Sequence, residues 1–380
     1  MNAARCDVAV LGGGPAGAGL ALALRARARL AVTVVERAED RSDRDARDLG
    51  ETLPPDARLP LTKLGVWSGF LRDGHLPSRG TASCWGSSVM GYHDALSSPW
   101  GPAWHLHRAR FHASLRAEVA ARGGIVHTGT APIRCEASGA DGYRLHLAHP
   151  AKGPFEVKAR FVVDATGWKA AFALAQGARR RVVDRCFALY GDFRVRAGEA
   201  FSTQAMVETC PEGWWYSALL PGGRVAVALV GDGASLRGVR PRGAAAWLAL
   251  LARTGATRER LDACDFTGQP LRAVPAPVGL LDRCHGERWL AVGDAACTYD
   301  PLSSQGITKA LGSALLAADA LERHLEGDPG ALRAYATQVR RGFAEHLRTR
   351  ERFYREEQRW PDSPFWRLRR EARASGALTA

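Results

Sequence analysis

Residues 7–36 read DVAVLGGGPAGAGLALALRARARLAVTVVE, and this stretch decides the fold class. Val8 to Leu11 is a short apolar run with strand character. Pro15 to Arg29 is rich in Ala and Leu and suits a helix, and Val32 to Val35 is a second, β-branched run ending at Glu36. Strand, helix and strand in about thirty residues make a βαβ unit. Gly12, Gly14 and Gly17 lie in its first turn with the spacing G-x-G-x-x-G. In that pattern the first glycine permits the tight turn, the second lets the backbone approach a pyrophosphate, and the third lets helix and strand pack closely. Glu36 closes the second strand where a carboxylate accepts the ribose hydroxyls of an adenosine. The unit therefore predicts a Rossmann-like site for a dinucleotide, and alone does not separate FAD from NAD.

A second stretch, AVGDAACTYDPLSSQGITKAL at 291–311, bears on that choice. The strand Trp289–Val292 runs into Gly293-Asp294, which puts a carboxylate at a strand's carboxyl end, suited to the hydroxyls of a ribityl chain. Pro301, Ser303, Ser304 and Gly306 then lead to a helix expected from Ile307, whose free N–H groups would face the pyrimidine edge of a flavin. An ordinary strand-to-helix loop capped by Ser or Asp has the same composition, so this reading needs support from the rest of the chain.

That support is a resemblance. The glycine triplet with Glu36, FVVDATGWKAAFALAQGARR (161–180) and VGDAACTYDPLSSQGITKAL (292–311) together resemble the FAD-binding fold of the aromatic hydroxylases and flavin-dependent halogenases. More narrowly, GETLPP (50–55), SCWGS (83–87), WHLHRARFHASL (104–115), EGWWYSALLPGGR (212–224) and QRWPDSPFWRLRR (358–370) resemble the maturation flavoproteins that modify tryptophan in quinone-cofactor amine oxidases and dehydrogenases, including the partner flavoproteins of lysine and glycine oxidases. The resemblance runs from Asp7 to about Arg370. It assigns Gly12, Gly14, Gly17 and Glu36 to the adenosine diphosphate end of FAD, Arg108 to its phosphates, Asp294 to the ribityl chain, and Pro301, Gly306 and Ile307 to the flavin ring. His107 stands where the subgroup usually carries an acid.

The expected fold class is α/β: a Rossmann-like FAD-binding domain with a glutathione-reductase-like βαβ unit, interrupted by a β-sheet substrate domain and followed by a helical C-terminal tail. The cofactor domain would comprise 1–75, 101–170 and 281–325, and the substrate domain 76–100 and 171–280, where CFALYGDFRV, WWYSALL and RVAVALVG read as antiparallel strands. Residues 326–380 would form the tail, with Trp360, Phe365 and Trp366 pinning it to the body. A chain of 380 residues is long enough for two such units.

No signal-peptide pattern opens the sequence and no apolar run approaches the roughly 18 to 20 residues of a membrane span, so a cytoplasmic protein is expected. The eight cysteines fall in no metal-ligand spacing and read as reduced structural thiols. The net charge of +13 is spread along the chain, mostly as Arg, without a nucleic-acid-binding motif. Neither nucleic acid nor a membrane is expected as a partner, and no metal site is expected.

The chemistry implied is that of a monooxygenase. Reduced FAD and O2 give a peroxyflavin that hydroxylates an electron-rich aromatic ring, while the protein positions the substrate and excludes water. Electrons would come from NAD(P)H directly or through a separate flavin reductase, since one dinucleotide motif is present. The substrate would be an aromatic ring, either a tryptophan side chain of a partner polypeptide or a free or carrier-bound metabolite. Glu51, Ser304 and Gln305 are the candidate catalytic residues. Glu51 has the chemistry to orient or deprotonate a ring N–H, and equally suits capping its turn or pairing with an arginine such as Arg47. Ser304 and Gln305 stand beside the expected flavin ring or simply form the loop. His75, His93 and His105 fall in the region facing the expected cavity. A halogenase or other tailoring oxidoreductase of a small aromatic is the alternative, although WWYSALLP (214–221) does not fit W-x-W-x-I-P and only Lys63 falls where a catalytic lysine is expected. A flavin reductase acting on isoprenoid double bonds and a non-enzymatic flavin-bound chaperone are further alternatives.

Overall fold

In the computed structural model, described for residues 4–27, 30–39, 49–95, 98–139, 142–237 and 243–371, the βαβ unit forms as its periodicity predicts. Strand β1 (Ala4–Leu11) leads through helix α1 (Pro15–Arg27) to strand β2 (Val32–Val35), and β1 and β2 pair in parallel. Ala, Leu and Val side chains of all three elements are excluded from solvent. This sheet extends in parallel on both sides: Ile125–His127 joins β2, Gly153–Asp164 joins β1, and Trp289–Ala291 joins Gly153–Asp164, while Ala131–Ala137, Tyr143–His149 and His285–Gly286 add to it antiparallel. Segments far apart in sequence thus end at one edge. Ligands of open parallel sheets bind outside the carboxyl ends of the strands, and here that edge presents the loops after Leu11, Asp164 and Ala291.

Gly12 adopts φ +111°, and a Cβ there would come within 2.2 Å of the Ala165 carbonyl oxygen. At Gly17 a Cβ would meet the Gly12 carbonyl oxygen at 1.9 Å, so only glycine lets α1 approach β1 this closely. Gly14 differs: nothing lies within 4 Å of a Cβ built there.

A second, nine-stranded sheet is antiparallel except where Ala205–Cys210 meets Gly80–Cys84. Its central strands are Arg272–Leu281, Arg180–Val195, Arg224–Asp232 and Gly213–Leu220. Alternate residues in a strand face opposite sides. Leu189, Trp215, Val227 and Leu229 pack on one side with Trp247 of the helix Gly243–Leu251. Ala188, Trp214, Ala228 and Val230 face the other way and meet Tyr354, Phe365 and Trp366. These last three lie on two C-terminal helices, Ala331–Glu356 and Pro364–Glu371, which WPDSP separates. Phe365 and Trp366 are fully buried and Trp360 packs beside them.

Three aspartates and two arginines connect these helices to the sheet and to the loop at 300. Arg350 Nε donates to Asp300 Oδ2 at 2.8 Å, and its Nη2 donates to Asp184. Arg369 bridges Asp184 and Asp232 at 2.7 and 2.9 Å. All eight cysteines are free thiols, and seven are buried. No helix among the described residues is long and apolar enough to cross a membrane.

Candidate active site

The loops at the parallel-sheet edge and the inner face of the second sheet enclose one cavity of about 440 Å³. Gly14, Pro15 and Ala16 supply one end of it, at the N-terminus of α1, where free N–H groups and the positive helix dipole favour a phosphate. Glu36 folds back on this turn, its Oε2 accepting from the Gly13 N–H at 2.7 Å and its Oε1 from the Ala38 N–H at 2.8 Å. The buried Arg116 braces the same loop by donating to the Gly13 carbonyl at 3.1 Å.

The loop following Trp289–Ala291 forms the floor. Asp294 lines the cavity, and its Oδ1 accepts from Lys309 Nζ at 2.5 Å. Asp300 caps the short turn Pro301–Ser303 by accepting from the Leu302 N–H at 3.0 Å. Burial alone would raise the Asp300 carboxyl, yet Arg350 and that N–H hold it below the usual carboxylate range. Ser304 follows with φ +51°, exposed into the cavity, and the helix begins at Gly306, one residue before the expected Ile307. Pro301, Gly306 and Ile307 line the cavity, and a Cβ at Gly306 would meet nothing within 4 Å. Gln305 is not among the lining residues. Its carbonyl accepts from the Lys309 N–H at 2.8 Å as the helix starts.

Glu51 also lines the cavity, paired with Arg108 Nη1 at 2.7 Å. Arg47, the partner weighed from sequence, lies outside the described residues. The segment around Glu51 is held on both sides. The Tyr216 hydroxyl lies 2.5 Å from the Gly50 carbonyl and 2.7 Å from Thr52 Oγ1, and Leu106 N–H donates to the Glu51 carbonyl. Thr52 Oγ1 is 3.0 Å from His105 Nδ1, while His105 Nε2 is 2.7 Å from the Thr203 carbonyl. A carbonyl can only accept, so Nε2 carries the proton and Nδ1 accepts from Thr52.

The far wall is apolar and aromatic. Val274, Ala188, Val230 and Trp214 pair across three strand junctions to make one row of side chains, and Tyr190, Ala228 and Tyr216 make the next. Burial pushes the Tyr190 and Tyr216 phenols well above their usual range, so both stay protonated. Sequence reading quoted WWYSALLP without extracting this wall. The period of two was the available signal, since it turns Trp214 and Tyr216 inward and Trp215 to the opposite face. His75, His93 and His105 do not line the cavity, whereas His112 does. Lys63 is exposed on the helix Arg58–Lys63, and none of the five lysines, all among the described residues, lines the cavity. No cluster of His, Cys, Asp or Glu able to hold a metal occurs among the described residues.

The donor set fits FAD: an open glycine at a helix N-terminus, a carboxylate after each of two parallel strands, and a second helix N-terminus beside a small-residue loop. Fold and site define a flavoprotein oxidoreductase. A model of the tryptophan halogenase family matches residues 67–380, and the chain belongs to that family. The putative FAD-dependent oxidoreductase LodB of Marinomonas mediterranea is 29% identical over 366 residues, covering 96% of each chain. CmlS, a flavin-dependent halogenase, superposes with a TM-score of 0.84 at 26% identity, over 98% of this chain and 68% of its own. QhpG, a peptidyl tryptophan dihydroxylase essential for tryptophylquinone cofactor biogenesis, superposes with a TM-score of 0.76 at 27% identity, over 97% of this chain and 79% of its own.

Proposed function

We propose that the protein is an FAD-dependent monooxygenase that hydroxylates an electron-rich aromatic ring, with a tryptophan side chain of a partner protein as substrate. The supporting observation is that one cavity joins a dinucleotide cradle to an aromatic wall, with the Glu51 carboxylate among its lining. In this reading Gly12, Gly14, Gly17 and Glu36 hold the adenosine diphosphate, Arg108 a phosphate, Asp294 the ribityl chain, and Pro301, Gly306 and Ile307 the flavin ring. Reduced FAD, when bound, activates O2. One oxygen atom enters the ring, the other leaves as water, and two electrons come from NAD(P)H directly or through a flavin reductase.

The chain's own groups supply orientation and proton handling. The rows ending in Trp214 and Tyr216 stack the substrate ring and keep water away. Glu51 accepts the ring N–H proton, its negative charge favoured by Arg108. Tyr190 and Tyr216, held protonated, remain hydrogen-bond donors. Ser304 contributes its hydroxyl at the flavin end, and Gln305 acts through its backbone at the helix start. The assignment of 1–75, 101–170 and 281–325 to cofactor binding and of 76–100 and 171–280 to substrate is part of the same proposal.

Halogenation is the second reading, favoured by the family match and the likeness to CmlS. The cavity lining, which contains no lysine, favours hydroxylation. Mass spectrometry of indoles and tryptophan-containing peptides, incubated with the FAD-loaded protein, a flavin reductase, NADH, O2 and bromide, separates the readings. Gain of oxygen is expected; gain of bromine instead would overturn the hydroxylase assignment.

A further inference from the structure

Lys309 sits in the first turn of the helix Gly306–Leu325, where a cation opposes the positive end of the helix dipole. Its neighbours account for its placement. Nζ donates at 2.5 Å to Asp294 Oδ1 and at 2.5 Å to the Cys297 carbonyl, and lies 4.8 Å from the centre of the Tyr299 ring. The lysine side chain is only 10% exposed, whereas that of Asp294 is 47% exposed and lines the cavity. One carboxylate oxygen is therefore held from behind by Lys309, while the half-exposed carboxylate lines the cavity.

The same turn is braced from its other side. Arg180 Nη2 donates to the Asp294 and Ala295 carbonyls, both at 3.0 Å. Two cations thus hold Asp294, one by its side chain and one by its backbone. Gly306 and Ile307, in the same helical turn as Lys309, line the cavity. Sequence reading gave Asp294 a role and left Lys309 without one.

We propose that Lys309 is a positioning residue for the cofactor. By fixing Oδ1 of Asp294 it presents Oδ2 to the sugar-alcohol chain of FAD, and its charge, held behind Asp294, offsets the negative charge of that carboxylate and so favours the anionic reduced form. This rests on the FAD reading above. Removing the ammonium group frees the carboxylate to rotate and leaves a negative charge uncompensated near the reduced flavin. A merely structural lysine would affect melting but leave the flavin potential where it was.

The test compares wild type with Lys309→Met, which keeps the apolar stem, and Lys309→Arg, which keeps the charge. FAD affinity is read by titrating the apoprotein and following flavin fluorescence, and the midpoint potential by dye-coupled reduction of the loaded protein. Lys309→Met is expected to bind oxidised FAD about tenfold more weakly and reduced FAD more weakly still. A further tenfold between the two states lowers the two-electron potential by about 30 mV. Lys309→Arg should recover the potential. Wild-type affinity and potential in a folded Lys309→Met protein would overturn the proposal. Should that variant fail to fold, Asp294→Asn provides the second measurement: unchanged FAD affinity there would also overturn it. A wild-type protein that takes up no FAD would instead overturn the cofactor reading, and the proposal with it.

Discussion

Arg108 and Glu51 form one ion pair, 2.7 Å between Nη1 and Oε1, in the wall of the cavity. The family resemblance implied phosphate binding for Arg108, and the chemistry of a carboxylate suggested proton transfer for Glu51. Both side chains are about a third exposed, so the pair itself adds only about 1 kcal/mol or less to stability. Its importance is electrostatic. Arg108→Ala should weaken FAD binding by about tenfold, since charge-assisted bonds to phosphate contribute most of such contacts. Glu51→Gln should leave FAD binding within about threefold of wild type while lowering product formation by about 10²-fold. Parallel flavin titrations and product yields would show whether the two effects separate in this way.

The three motif glycines should respond differently to the same added methyl group. Gly17→Ala places a Cβ 1.9 Å from the Gly12 carbonyl oxygen, so α1 must move off β1 and the protein should melt several degrees lower. Gly14→Ala meets nothing within 4 Å and should melt within about a degree of wild type. If the open space at Gly14 is where the pyrophosphate approaches, this variant should still lose FAD affinity by about tenfold or more. Melting curves of the apoproteins beside flavin titrations decide the matter, and a Gly14→Ala protein with normal affinity would remove Gly14 from the cofactor site.

Acid should destabilise the fold in a defined window. Burial lowers the His75, His105 and His346 imidazoles to about 4, with nearby positive charges adding to the effect at His75. Each also accepts a hydrogen bond through a ring nitrogen: His75 from the His107 N–H, His105 from Thr52, and His346 from the Asp300 N–H. These groups stay neutral in the fold but gain a proton in the unfolded chain below about pH 6.5. The unfolded state therefore binds more protons between about 6.5 and 4. Stability falls as pH drops through that interval, by on the order of 3 kcal/mol per histidine, and this contribution levels off below 4. Asp300, whose pKa is depressed, remains charged in the fold throughout this window and does not offset the loss. Melting temperatures measured from pH 7 to 4 should fall steadily, with a shallower slope in His105→Asn. A flat profile would contradict the buried neutral assignment.

What the chain disclosed before its structure was known follows from the range of each interaction. The βαβ unit was legible because its glycines, its apolar runs and Glu36 lie within thirty residues and their spacing has a direct steric meaning. Asp294 was legible because it ends a strand. The Lys309–Asp294 pair spans only 15 positions but crosses from a loop to the rear of a helix turn, and no residue pattern encodes that direction. Arg108 and Glu51 meet because the strand Thr52–Leu53 pairs with Ala103–His105, a register that depends on the three-dimensional assembly. The histidines drew attention by chemistry alone; packing buried His75 and His105 away from the lining and left His93 exposed on the strand Gly91–Asp94, while His112 took a lining position.

The contact between Arg350 and Asp300 has a consequence for the order of events during synthesis. The loop preceding Gly306 takes its form from His346, Arg350 and Tyr354, which lie 46, 50 and 54 residues downstream of Asp300. While those residues are still within the ribosome, the nascent chain has its glycine turn but no counterpart to grip the other end of a cofactor. The loop therefore takes its final form only after the helix Ala331–Glu356 has emerged and docked.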